Sequence, residues 1–120
     1  MTTTPMFLDA VLDGLHDTTP RHAIDTEQYS PGYMVLRLYG DFDMTARVDL
    51  VDTLNSLDPA TTVDIDLSGV TFLYSGAAAA LIAAADTAGG RIRLCAPHRP
   101  VAMIITALGA GHLLDHRTAA

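Results

Sequence analysis

The chain has no lysine, no tryptophan, a single cysteine and no long apolar run. Each absence removes a class of function. Without lysine there is no Schiff-base nucleophile and no Walker-type phosphate loop, both of which depend on an ammonium group. The lone Cys95 rules out an internal disulfide, and the expected home is the cytoplasm. No stretch reaches the ~18 apolar residues that a membrane-spanning helix needs, so direct membrane insertion is not expected. The N-terminal MTTTPMFLDAVLDGLHD has no basic start and carries acids within its apolar stretch, unlike a secretory signal.

Positive charge is also scarce. Seven basic residues, all arginine, stand against fourteen acids, for a net charge of −7. Nucleic acid is therefore a poor partner, because binding it requires clustered cations that displace counterions from phosphates. The five histidines, His16, His22, His98, His112 and His116, are scattered. His112 and His116 are four apart and could share a helical face, but no cysteine or carboxylate completes a tetrahedral set. No metal and no cofactor are indicated.

What the sequence does contain is enough apolar material for one core: 49% hydrophobic and 18% charged residues over 120 positions. Residues 1–20 read as an extension in which Phe7, Leu8, Val11, Leu12 and Leu15 recur at the spacing of a short amphipathic helix, ended by Thr18, Thr19 and Pro20. Residues 21–116 read as the domain and 117–120 as a polar tail.

Within the domain, a weak strand over 22–27 and a firmer one over 33–39 flank the turn signal Ser30, Pro31, Gly32, which predicts a hairpin. A bend over 40–43 precedes a helix with Thr45 as its expected N-cap, running through Val48, Leu50, Val51, Leu54 and Leu57 to the stop at Asp58 and Pro59. Val63, Ile65 and Leu67 alternate with Asp64, Asp66 and Ser68, predicting a strand that turns at Gly69 before Val70, Thr71, Phe72 and Leu73. Ser75 is placed to cap an alanine-rich helix that Gly89 and Gly90 close. A strand over 91–95 follows. A last helix starts near Pro100, carries Val101, Ile104, Ile105 and Leu108 on one face, and ends at Gly109 or Gly111, before residues 112–115 and the short polar tail. The alternation predicts an α/β domain with a mixed, mostly parallel sheet of four to five strands and three to four helices.

Over about residues 22–115, this order and three local motifs resemble the STAS family, the domain of anti-sigma factor antagonists. Gly40, Asp41, Phe42, Asp43, Met44, Thr45, Ala46 looks like the family's G-E-L-D-x-x-T-A. LSGVTFL over 67–73 matches the strand that the family follows with Asp-Ser-Ser-Gly, and Val101, Ile104, Ile105 and Gly109 resemble its V-x-R-L-L-x-x-x-G. The resemblance implies a partner kinase that phosphorylates the second serine of Asp-Ser-Ser-Gly and is captured only by the unphosphorylated form. Aligned without a gap, Tyr74 replaces the aspartate, Ser75 matches the first serine, and Gly76 stands where the acceptor belongs. A slip of one residue would make Ser75 the phosphorylation candidate instead. The ungapped reading keeps Leu81 and Ile82 on the family's aliphatic pair.

The resemblance implies a noncatalytic protein-binding module that docks an anti-sigma factor or serine-kinase-like partner at Asp41, Asp43, Tyr74, Ser75 and Gly76, with serine control altered or lost. Its alternative is a STAS-type structural subunit of a membrane-associated transport assembly. The helices after Ser75 and Pro100 look apolar nearly all round, with Ala102 and Met103 where relatives often carry basic side chains, which suits a standing contact and is compatible with a homodimer. An enzyme is not expected: the Gly-x-Ser-x-Gly elbow of a serine hydrolase would need glycine at position 73, which is leucine.

Overall fold

The computed structural model describes residues 21–115. Strand β1 (His22–Ser30) pairs antiparallel with β2 (Tyr33–Phe42) across Pro31 and Gly32, as the hairpin signal predicts. Helix α1 (Met44–Asn55), strand β3 (Thr62–Leu73), helix α2 (Ser75–Thr87), strand β4 (Ile92–Cys95) and helix α3 (Arg99–Ala107) follow. A short 3-10 turn (Gly111–Leu113) leads into a two-residue strand β5 (Leu114–Asp115). The strands lie in the order β1-β2-β3-β4-β5, every pair after the hairpin parallel. The expected mixed, mostly parallel sheet is what forms.

Period-two alternation divides the sheet into two faces. Leu36 and Leu38, Val63, Ile65 and Leu67, and Ile92 and Leu94 all join one core with Ala46 and Leu50 of α1, Ala77, Ala78, Leu81 and Ala85 of α2, and Val101 and Ile105 of α3. All three helices therefore cover the same face. Burying each of the large side chains contributes roughly 1.5–3 kcal/mol, so this layer carries most of the fold. The small alanines let α2 approach the sheet closely.

The structure differs from four of the sequence expectations. Gly69 is not a turn: β3 runs through it, bulging twice against β2, and a β-carbon at Gly69 would lie 2.6 Å from the Tyr39 ring and 2.9 Å from the Leu38 carbonyl. Only glycine admits that approach. Likewise, β2 continues to Phe42 where a bend was expected at 40–43. The cap of α1 is Asp43, whose carboxylate accepts the Ala46 N–H at 2.9 Å, and not Thr45, which lies inside the helix. That helix also stops at Asn55, before Asp58 and Pro59. Beyond the last helix, Leu114 and Asp115 add an edge strand beside Leu94 and Cys95. His112 lies in the 3-10 turn, while His116 and the apolar repeat of residues 1–20 lie outside the described residues.

The aspartates of β3 alternate as expected but do not face water. Asp64 and Asp66 are 4% and 9% exposed, on the face away from the helices. Asp64 accepts from Tyr33 Oη at 2.7 Å and from Arg93 Nε at 2.6 Å, and Asp66 accepts from Arg37 at 3.1 Å. The hydrogen bond to Asp64 raises the Arg93 pKa against the opposing effect of burial. For Arg37, burial pulls downward but is outweighed by hydrogen bonds to Glu27 and Asp66, and the guanidinium is held charged. Cys95 is buried on this same face.

Candidate functional site

The residues singled out from the sequence gather at the end of the sheet where β2 and β3 run into their helices. Phe42 pairs with Leu73, and the Tyr74 N–H donates to the Phe42 carbonyl at 2.8 Å, which sets 41–43 beside 72–74. Parallel strands place both following helices with their N-termini at this edge, and Arg47 of α1 reaches across to the Gly76 carbonyl at 3.3 Å. Asp43, Tyr74, Ser75 and Gly76 thus belong to one surface. Asp41 is turned to a different job, accepting the Thr71 hydroxyl at 2.6 Å.

Asp43 is the electrostatically distinctive member. The Ala46 N–H holds its carboxyl below the ordinary carboxylate range against the opposing effect of desolvation, with smaller help from the Thr45 N–H and the nearby His22. His22 itself is bound to Asp49 at 2.7 Å and stacks obliquely on Phe42, tying the start of β1 to α1.

Ser75 does not cap its helix. Tyr74 occupies the cap position with extended backbone, no side-chain cap hydrogen bond forms there, and Ser75 is the first helical residue with its side chain exposed. The strand continues through its two bulges to residue 73, and the helix starts one residue earlier than a serine cap would require. A phosphoryl group on Ser75 would still sit at the positive end of α2. No histidine is hydrogen-bonded to Ser75 among the described residues. Nor do three or more His, Cys, Asp or Glu side chains converge on a metal site among the described residues.

Gly76 is fixed by its neighbour. A β-carbon there would run into the Tyr74 ring. The two positions at which this chain departs from the Asp-Ser-Ser-Gly pattern are therefore sterically matched to each other, and a hydroxyl-bearing residue at 76 does not fit while Tyr74 holds its place.

Beside Ser75 opens a feature that the sequence only partly shows. Ser75, Arg99, Pro100, Met103, Ile104, Ala107 and Leu108 line a groove of about 530 Å³ whose walls are almost wholly apolar. Met103 is 60% exposed and Leu108 48%, and on the α1 and β3 side Met44 and Phe72 are 68% and 51% exposed. Met103 stood out in the sequence as a replacement for a basic residue. Phe72 did not, because the bulges in β3 shift which residues of 70–73 face inward.

Comparison with known proteins fits this geometry. The family model described as "Mlab, STAS domain" matches residues 25–115. The solved structure of the anti-sigma factor antagonist SpoIIAA in its unphosphorylated form superposes with a TM-score of 0.62 at 20% identity, covering 80% of this chain and 89% of that one. The Bacillus cell fate determinant SpoIIAA in its phosphorylated form gives 0.63 at 19% identity, covering 80% and 92%. At these identities the likeness carries the fold. No curated protein sequence matches the chain.

Proposed function

Because the chain belongs to the STAS domain family, we propose that it is a noncatalytic binding module that docks an anti-sigma-kinase-like regulatory protein in the cytoplasm, through the surface of Asp43, Tyr74, Ser75 and Gly76 with the adjoining groove. The observation that carries this reading is the apolar groove beside Ser75, flanked by exposed Met103 and Leu108. Large side chains left in water at the mouth of a groove are what a protein partner covers. Asp41 and Asp43 add negative charge that speeds encounter with a basic surface.

Control by phosphorylation is altered. The position that the ungapped alignment assigns to the acceptor is Gly76, locked by Tyr74, which leaves Ser75 as the hydroxyl at this helix start. Pull-down with anti-sigma kinases encoded in the same genome tests the reading. Capture that is weakened by Ser75→Asp and by Met103→Asp is expected; no capture, or capture indifferent to both, overturns it.

A second reading is favoured by the same groove. An apolar contact without a working switch suits a permanent subunit contact, as in a STAS-type structural subunit of a membrane-associated transport assembly. No helix among the described residues is long and apolar enough to cross a membrane, so such a role would be peripheral. Copurification with a membrane-bound ATPase, in place of any kinase, is its expected signature, and stable monomeric behaviour with no membrane fraction counts against it.

A further inference from the structure

Helices α1 and α2 start at the same edge of the sheet and pack side by side, with a second groove, of about 440 Å³, between them. Val51 and Leu54 form its α1 wall, and Ala80, Ala83 and Ala84 its α2 wall. No side chain that α2 puts into it is larger than that of Thr87, so the helices leave a channel where longer side chains would fill the space. It is open to solvent, since Asn55, Ala83 and Thr87 are exposed. The lining runs over residues 47–55 on one side and 80–88 on the other, a length of about 12 Å at the helical rise.

An arginine stands at each end. Arg47, in the first turn of α1, donates to the Gly76 carbonyl at 3.3 Å, and Arg91, beyond the end of α2, donates to the Thr61 carbonyl at 3.0 Å. A carbonyl orients a guanidinium without neutralising its charge. Neither arginine is in an ion pair among the described residues, in contrast to Arg37 and Arg93, which the aspartates of β3 hold. In a chain of fourteen acids and seven arginines, no carboxylate lines this groove, and Asp49 and Asp52 of α1 line a different one with His22. An apolar floor with a cation at each end selects its occupant. A single-headed anionic amphiphile would satisfy one arginine only, whereas a helix can present a carboxylate to both.

We propose that the groove between α1 and α2 docks an amphipathic helix of a partner protein. Its carboxylates, at i and i+7, meet Arg47 and Arg91, and its apolar side chains at i+3 and i+4 lie over Val51, Leu54 and Ala84. The spacing follows from the length of the groove, because seven residues of helix rise about 10.5 Å. This surface is separate from the groove beside Ser75 and stands whether or not that one docks a kinase.

The probe is a hydrocarbon-stapled helical peptide with Glu at i and i+7 and Leu at i+3 and i+4, titrated into the isotope-labelled full chain and followed by amide chemical shifts. Shifts centred on residues 47–55 and 80–92 are expected. The double substitution Arg47→Glu, Arg91→Glu should weaken binding by about tenfold or more and confer binding of a second peptide with Lys at i and i+7, a swap that a merely structural role for the arginines would not produce. Should that variant fail to fold, Ala83→Glu, at an exposed helical position of the groove, is expected to weaken the acidic peptide by a similar factor. No shift in these segments at millimolar peptide, equal binding of the acidic and basic peptides by the unaltered chain, or shifts at residues 99–108 in their place overturns the proposal. So does binding of laurate, but not of the peptide, at the same residues, which would mark a site for a small amphiphile.

Discussion

The ring of Tyr74 lies where a β-carbon on Gly76 would have to be. Tyr74 is half-buried and packs against the core. Gly76→Ser, which would restore the family's hydroxyl, is therefore expected to destabilise by about 1–3 kcal/mol through overpacking. In the background of Tyr74→Ala the same substitution should cost little, so the double variant is more stable than the sum of the singles predicts. Denaturant titration of the four proteins reads this coupling, and strict additivity would contradict it.

Ser75 and Asp43 separate two roles that a sequence pattern confuses. Ser75→Ala is expected to change stability by no more than about 0.5 kcal/mol, since its side chain is exposed at the first helical position and caps nothing. Asp43→Ala removes the carboxylate that accepts the Ala46 N–H and should lower the melting temperature by a few degrees. Thermal melts of both variants check the contrast.

That cap also carries a pH dependence. The folded protein holds the Asp43 carboxyl below its ordinary value, so its contribution is present above the unfolded value of about 4 and is lost as pH falls through the depressed folded value. Asp43→Asn keeps a good cap without the charge. Its melting temperature should fall less steeply than that of the unaltered protein between about pH 4 and pH 2, measured by parallel melts.

Beneath the sheet's second face, Arg93 satisfies an aspartate that is nearly water-free. Arg93→Ala leaves Asp64 with Tyr33 as its remaining polar side-chain partner and is expected to cost about 1–3 kcal/mol, moderated by the partial exposure of Arg93. Arg93→Ala combined with Asp64→Leu should recover part of that loss. Chemical denaturation decides it.

The register of apolar residues made most of this fold legible beforehand. Leu36, Leu38, Val63, Ile65 and Leu67 point inward as their alternation predicts, and the hairpin follows from Pro31 and Gly32. What alternation cannot show is how strands bulge. Two extra residues in β3 carry it past Gly69 to Leu73, and that is why Ser75 falls inside α2 and Phe72 turns outward. The aspartates of β3 were readable as one face of a strand, but their arginine partners sit about 29 positions away and meet them only through the parallel register. Asp43 was visible as part of a motif, whereas its cap role depends on where β2 ends. The Tyr74–Gly76 match is the clearest case, because two departures from a motif make sense only once the ring is seen over the glycine.

The central claim is that the surface beside Ser75 is a docking site, and a binding titration with a purified anti-sigma kinase from the same genome tests it most directly. The unaltered protein is expected to bind, and Met103→Asp, which leaves the fold intact because Met103 is exposed, is expected to weaken binding by about tenfold or more. Ser75→Asp should weaken it as well. Binding that neither substitution disturbs would place the contact elsewhere on the molecule and contradict the account.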